Sequence, residues 1–163
     1  MNYFDQTWIS VTEDLADHRN EETILTEIKR ARRIVFVAKG RVGLAARMFM
    51  QRLSQLGMHV AHSEDLLVPE LSDQDLVIFV TASGETTSSL AYLEIAKRIG
   101  VRTLAITFNA QGSISKDCDV VAEYPRPRTQ GLMKSYYEIG FIYVLERIVS
   151  QLPADQFVHT NFE

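Results

Sequence analysis

Between Thr81 and Ser89, six of nine residues carry hydroxyls, and Gly84 sits near the middle of the run. The segment follows the apolar stretch Leu76-Val77-Ile78-Phe79-Val80 and leads into Leu90, Leu93, Ile95 and Ile99, whose spacing predicts an inward-facing helical stripe that Gly100 stops. A turn of this composition between a buried strand and a helix is an anion site in outline. First-turn N–H groups lack intrahelical acceptors, the helix dipole adds partial positive charge, hydroxyls donate, and a glycine lets the backbone approach closely. The competing reading is that Ser83 or Thr86 merely caps the helix while the other hydroxyls are solvated in a turn. Glu85 bears on the choice, because a carboxylate pointing inward would repel phosphate. An anion site requires Glu85 to face away or to pair with a base.

A second turn, Lys39-Gly40-Arg41-Val42-Gly43, follows the apolar run Ile34–Ala38. With Ala38 it reads as a G-x-G-x-x-G whose first glycine is lost, and Glu64 lies where a ribose-binding acid would sit. That dinucleotide reading leaves the hydroxyl-rich turn unexplained. The lone Cys118 reads as a small buried apolar residue and stays outside the chemistry.

The elements that must position these turns alternate along the chain. Two helices occupy the first thirty residues, the second opening at Asn20-Glu21-Glu22 with Ile24, Leu25 and Ile28 on one face. Ile34–Ala38 is a continuously apolar strand, and Leu44, Met48, Phe49, Leu53 and Leu56 follow at helical spacing until Gly57. After the Leu76–Val80 strand and its helix come a strand at Thr103–Thr107 and a shorter one near Val120–Ala122. The Pro125-Arg126-Pro127-Arg128 loop and a long helix from about Met133 to Leu152 complete the chain. Strands alternating with helices imply a parallel sheet, whose ligands bind beyond the carboxyl ends of the strands near a topological switch point.

At 163 residues and 46% hydrophobic, the chain is expected to form one domain over 1–163. A net charge of -4 from interspersed acids and bases offers no field for nucleic acid or an anionic membrane. One cysteine allows neither an internal disulfide nor a cysteine metal cage. The acidic N-terminal stretch and the absence of 18 consecutive apolar residues point to a soluble, cytoplasmic protein.

The turns Thr81-Ala82-Ser83-Gly84-Glu85-Thr86 and Lys39-Gly40-Arg41-Val42-Gly43 resemble the SASGET-like and GAGRSG-like turns of the sugar isomerase (SIS) domain. The length, the two leading helices and the ending His159-Thr160-Asn161-Phe162-Glu163 are similar to the 6-phospho-3-hexuloisomerase branch. The resemblance implies a flavodoxin-like three-layer α/β fold of about five parallel strands. It also implies phosphate binding by Thr81, Ser83 and Thr86, contacts to the phosphosugar from Gly40 and Arg41, and homodimers or homotetramers with sites between subunits. No metal or other cofactor is implied.

Isomerisation moves a proton between adjacent carbons through an enediol, so it needs a carboxylate or imidazole near both carbons and donors for the oxyanion. The branch carries a glutamate in a segment similar to PLGTLFE, which falls on Leu132–Glu138 and implies Glu138 as the base. Glu138 shares a helical stripe with Ile142, Leu145 and Val149. Among His18, His59, His62 and His159, the imidazole role is assigned to His159 because it lies in the tail that resembles the branch ending. Val42 replaces a family serine, Lys39 a small residue, Leu132 a proline and Lys134 a glycine. These departures leave open a different substrate, or a sugar-phosphate-binding sensor without catalysis.

Overall fold

The apolar runs become strands. In the computed structural model, which describes residues 1–153, Ile34–Val37 (β1), Val60–His62 (β2), Leu76–Thr81 (β3), Arg102–Thr107 (β4) and Val120–Glu123 (β5) form one parallel sheet. Its order is β2-β1-β3-β4-β5. The chain leaves β1 toward one edge and returns to build the other side from β3, so the switch point lies between β1 and β3.

Six helices cover the sheet: Tyr3–Asp14 (α1), Glu21–Arg30 (α2), Gly40–Gln55 (α3), Thr87–Ile99 (α4), Ser113–Asp117 (α5) and Tyr136–Val149 (α6). Ile34, Phe36, Ile78, Val80, Leu104 and Ile106 alternate onto one face of the sheet and pack with α1, α2, α3 and α6. Val35, Val37, Val77 and Phe79 point the other way, onto Leu93 and Ala96 of α4 and Ile114 of α5. Helices on both faces explain why β1 and β3 are apolar at successive positions rather than alternate ones.

At the amino ends of β1 and β3, Asp75 binds both Arg32 and Arg33 and accepts the Ser72 N–H at 2.8 Å. Its side chain is wholly buried. Burial opposes the charge, but the Arg33 and Arg32 guanidiniums and the Ser72 N–H outweigh it and hold the carboxyl well below the usual range.

The structure departs from the sequence expectations in four places. Ile95 and Ile99, expected to face inward, are 46% and 44% exposed. The inward stripe of α4 runs through Leu93 and Ala96, and Ile95 lies about 200° around the helix from Leu93. Leu44 and Met48 are likewise exposed, because α3 buries Ala45, Ala46, Phe49, Met50 and Leu53 instead. The last helix begins at Tyr136, since Met133 and Lys134 adopt left-handed backbone (φ 52° and 63°) in a single turn over Leu132–Lys134. The five-residue α5 has too little periodicity to be read from sequence.

Candidate functional site

Thr81 ends β3 opposite Thr107, and its hydroxyl accepts the Gly84 N–H at 3.0 Å, folding the chain back over the strand end. The Ser83 hydroxyl accepts the Glu85 N–H at 3.2 Å. Gly84 has φ +74°, and a Cβ there would stand 3.0 Å from Gly112 Cα. The turn is therefore clamped against the segment that follows β4. Asn109 Nδ2 donates to the Ser83 carbonyl at 2.8 Å, and the Ile114 N–H donates to the Gly84 carbonyl at 2.9 Å.

Glu85 turns away from this loop. Its carboxylate accepts the Ser113 N–H and the Ser113 hydroxyl, both at 2.8 Å, at the start of α5. Those two bonds, the N–H first, hold its carboxyl below the usual range. The condition for an anion site is met. The capping alternative fails at the same place: Thr86 is the N-cap residue of α4, yet neither it nor Ser83 caps the helix through its side chain. The Thr87 and Ser88 N–H groups find no acceptor among the described residues.

Beside the loop lies a cleft of about 280 Å³, at the small end of ligand sites. Thr81, Ser83 and Thr86 form one wall with Ser89 from the first turn of α4. Lys39 and Val42, which follow β1, form the opposite wall, so the cleft straddles the switch point. Lys134 and Tyr137 complete it from the other end of the chain. Lys39 is bonded to Glu64 at 2.6 Å, and that bond holds the Glu64 carboxyl below its usual range. The acid that a dinucleotide site would direct at a ribose is thus engaged by a lysine.

Gly40, Arg41 and Glu138 lie to one side. Gly40 opens α3, and Arg41 places Nη1 3.1 Å from Glu138 Oε1 while Nη2 donates to the Met133 carbonyl at 2.6 Å. Glu138 is 17% exposed at its side chain and does not line the cleft. His159 lies outside the described residues. His62 ends β2 fully buried, and its Nδ1 accepts the Glu64 N–H at 3.1 Å. Burial, aided by Arg47, lowers its pKa. The Cys118 thiol is pushed up to about 12 by burial, which removes it as a nucleophile.

Sequence reasoning missed Ser89, Lys134 and Tyr137 as cleft residues. Ser89 carried a signal, standing three residues after Thr86 and so on the same face of α4. Lys134 and Tyr137 reach the cleft only through tertiary packing. A second cleft of similar size near Arg19 and Arg126 is a poorer anion site, because Asp17 engages Arg19 and the Asn109 amide oxygen engages Arg126. Among the described residues, no group of three or more His, Cys, Asp or Glu side chains could hold a metal ion, and no helix is long and apolar enough to cross a membrane.

Fold and site together define an open parallel α/β domain with a hydroxyl-rich turn beside a cleft at the carboxyl end of its central strand. Residues 27–145 match the SIS domain model, and the chain belongs to that family. It is 30% identical over 134 residues to a 3-hexulose-6-phosphate isomerase of Bacillus subtilis, covering 80% of this chain and 68% of that protein. It is 36% identical over 111 residues to an uncharacterized protein of Archaeoglobus fulgidus, covering 66% and 61% of the two chains. The Vibrio vulnificus NanR protein, solved in complex with ManNAc-6P, shares the fold with a TM-score of 0.77 at 18% identity, over 93% of this chain and 62% of that one.

Proposed function

We propose that the chain is a sugar-phosphate isomerase of the aldose–ketose or ketose type, close in substrate to a 3-hexulose 6-phosphate. The observation that carries this reading is the wall of Thr81, Ser83, Thr86 and Ser89 at the head of α4, with free N–H groups and Glu85 turned outward. The Bacillus relative supports the substrate class. In this reading the phosphate sits on those hydroxyls and N–H groups, with Gly40 and Arg41 serving the sugar. Glu138 takes the proton from the carbon beside the carbonyl. An enediol forms as the carbonyl oxygen gains a proton, and Glu138 returns its proton to the former carbonyl carbon while the hydroxyl on the neighbouring carbon gives up its proton to become the new carbonyl. His159 assists ring opening from the tail.

For that chemistry, Arg41 must pass from Glu138 to the sugar oxygens, which would free the carboxylate and place a donor on the developing oxyanion. The whole chain, 1–163, acts as one cytoplasmic domain in a homodimer or homotetramer. The test is an isomerase assay over phosphorylated ketoses and aldoses with wild type and Glu138→Gln. Turnover should fall at least about a thousandfold in the variant while ligand affinity stays within a few-fold of wild type. Undiminished turnover removes Glu138 from the mechanism.

One observation favours a second reading, a sugar-phosphate sensor without catalysis. Glu138 is held by Arg41 outside the cleft wall, while Val42, which cannot hydrogen-bond a sugar hydroxyl, lines it. NanR shows a phosphosugar complex on the same fold. Saturable binding without turnover of any phosphosugar would decide for the sensor.

A further inference from the structure

We infer that Lys134 is the cationic ligand of the cleft, forming a direct ion pair with the anionic group that the Thr81–Thr86 loop holds and setting the preference for phosphorylated over neutral sugars. The inference rests on the phosphate reading of that loop and names a residue that reading did not contain. Two lysines line the cleft. Lys39 is already bonded to Glu64 at 2.6 Å, whereas Lys134 has no ion pair or hydrogen bond among the described residues. A phosphate dianion on hydroxyls and N–H groups alone would leave much of its charge uncompensated, and charge-assisted bonds are the strong ones.

A further observation points to a ligand. Ser89 is 3% exposed, yet its hydroxyl has no hydrogen-bond partner among the described residues and the residue lines the cleft. The hydroxyl oxygen itself is not sealed off, so it opens onto the cleft and is available to a ligand oxygen. Lys134 and Met133 also hold left-handed backbone, which costs a side-chain-bearing residue energy that glycine avoids. The turn is kept in place by the Arg41 bond to the Met133 carbonyl, and Arg41 is itself anchored on Glu138. In the ligand-free protein the Arg41 bond to the Met133 carbonyl thus positions the turn that carries the lysine.

Titration calorimetry on the full chain with inorganic phosphate, fructose 6-phosphate and fructose, at low and physiological salt, tests this with Lys134→Gly, Lys134→Arg and Thr86→Val. Lys134→Gly should weaken both phosphates about tenfold or more and flatten the salt dependence, while the ligand-free melting temperature stays the same or rises because the left-handed turn is relieved. Lys134→Arg should keep most of the affinity and the salt slope. Thr86→Val should weaken binding with the salt slope unchanged. If Lys134→Gly binds like wild type while Thr86→Val is weakened, the lysine assignment fails and the hydroxyl loop stands. Failure of arginine to rescue also overturns it. If wild type binds neither phosphate, the loop reading fails and the inference fails with it.

Discussion

Gly84 shows how little freedom the site has at the level of single residues. Its φ of +74° disfavours any side chain, and a Cβ placed there would crowd Gly112 Cα at 3.0 Å. Gly84→Ala should destabilise the fold by about 1–3 kcal/mol through backbone strain and the clash together. It should also abolish phosphate binding, because the clash lies within the turn that presents Ser83 and Thr86. Denaturant midpoints and phosphate titration would show both losses; an alanine variant with native stability and affinity would mean the turn is not held as described. The hydroxyls themselves were legible in the sequence because they are clustered and directly follow a continuously apolar strand. The outward turn of Glu85 was not, since it depends on Ser113, which sits in a helix too short to leave a pattern. Lys134 was noted only as replacing a glycine, and its place in the cleft was missed for a related reason. It lies 48 residues beyond Thr86, and only the packing of the last helix against the sheet brings it to the cleft.

At the level of elements, β1, β3 and β4 were readable almost to their ends because burial on both faces leaves continuous apolar runs. The helices were readable in position but less so in orientation. In α3 and α4, apolar residues exceed what the sheet can cover, so spacing alone does not choose between Leu93 and Ile95 as the inward residue. The amino ends of β1 and β3 are joined by Asp75 with Arg32 and Arg33, and this clamp has a pH signature. The Asp75 carboxyl lies below its unfolded value near 3.9, so it binds its proton less readily in the folded state. Its contribution is complete above that value and declines as the pH falls toward the lower folded value, by about 1.4 kcal/mol per pH unit. Asp75→Asn should cost on the order of 2–3 kcal/mol at pH 7, because two guanidiniums lose their anionic partner. The gap between variant and wild type should hold down to about pH 5 and narrow below about pH 4. Urea midpoints at pH 7, 5, 4 and 3 measure it, and a gap that stays constant to pH 3 would show that the clamp is not the source.

At the scale of the whole molecule, several of the apolar side chains left outside the core gather around the start of α3. Tyr3 and Phe4 of α1 line a shallow pocket with Arg41, Leu132 and Met133. Arg41, Leu44 and Met48 share one stripe of α3, three and four residues apart, and Leu44 and Met48 are 65% and 52% exposed. Such a surface is costly in water and is covered well by a second copy of the chain, as the proposed homo-oligomer requires. Its position matters more than its size. Arg41 belongs both to this stripe and to the ion pair with Glu138, so burying the stripe removes water from the group that competes for the proposed base. Association and turnover should therefore fail together. Light scattering at micromolar concentration should give a dimer or tetramer for wild type, and Leu44→Asp with Met48→Asp should shift it toward monomer while leaving the melting temperature largely intact. The same double variant should lose most isomerase activity yet still bind inorganic phosphate, because neither Leu44 nor Met48 lines the cleft beside the Thr81–Thr86 loop. A monomeric wild type, or a monomeric variant with full turnover, would separate the apolar stripe from the chemistry.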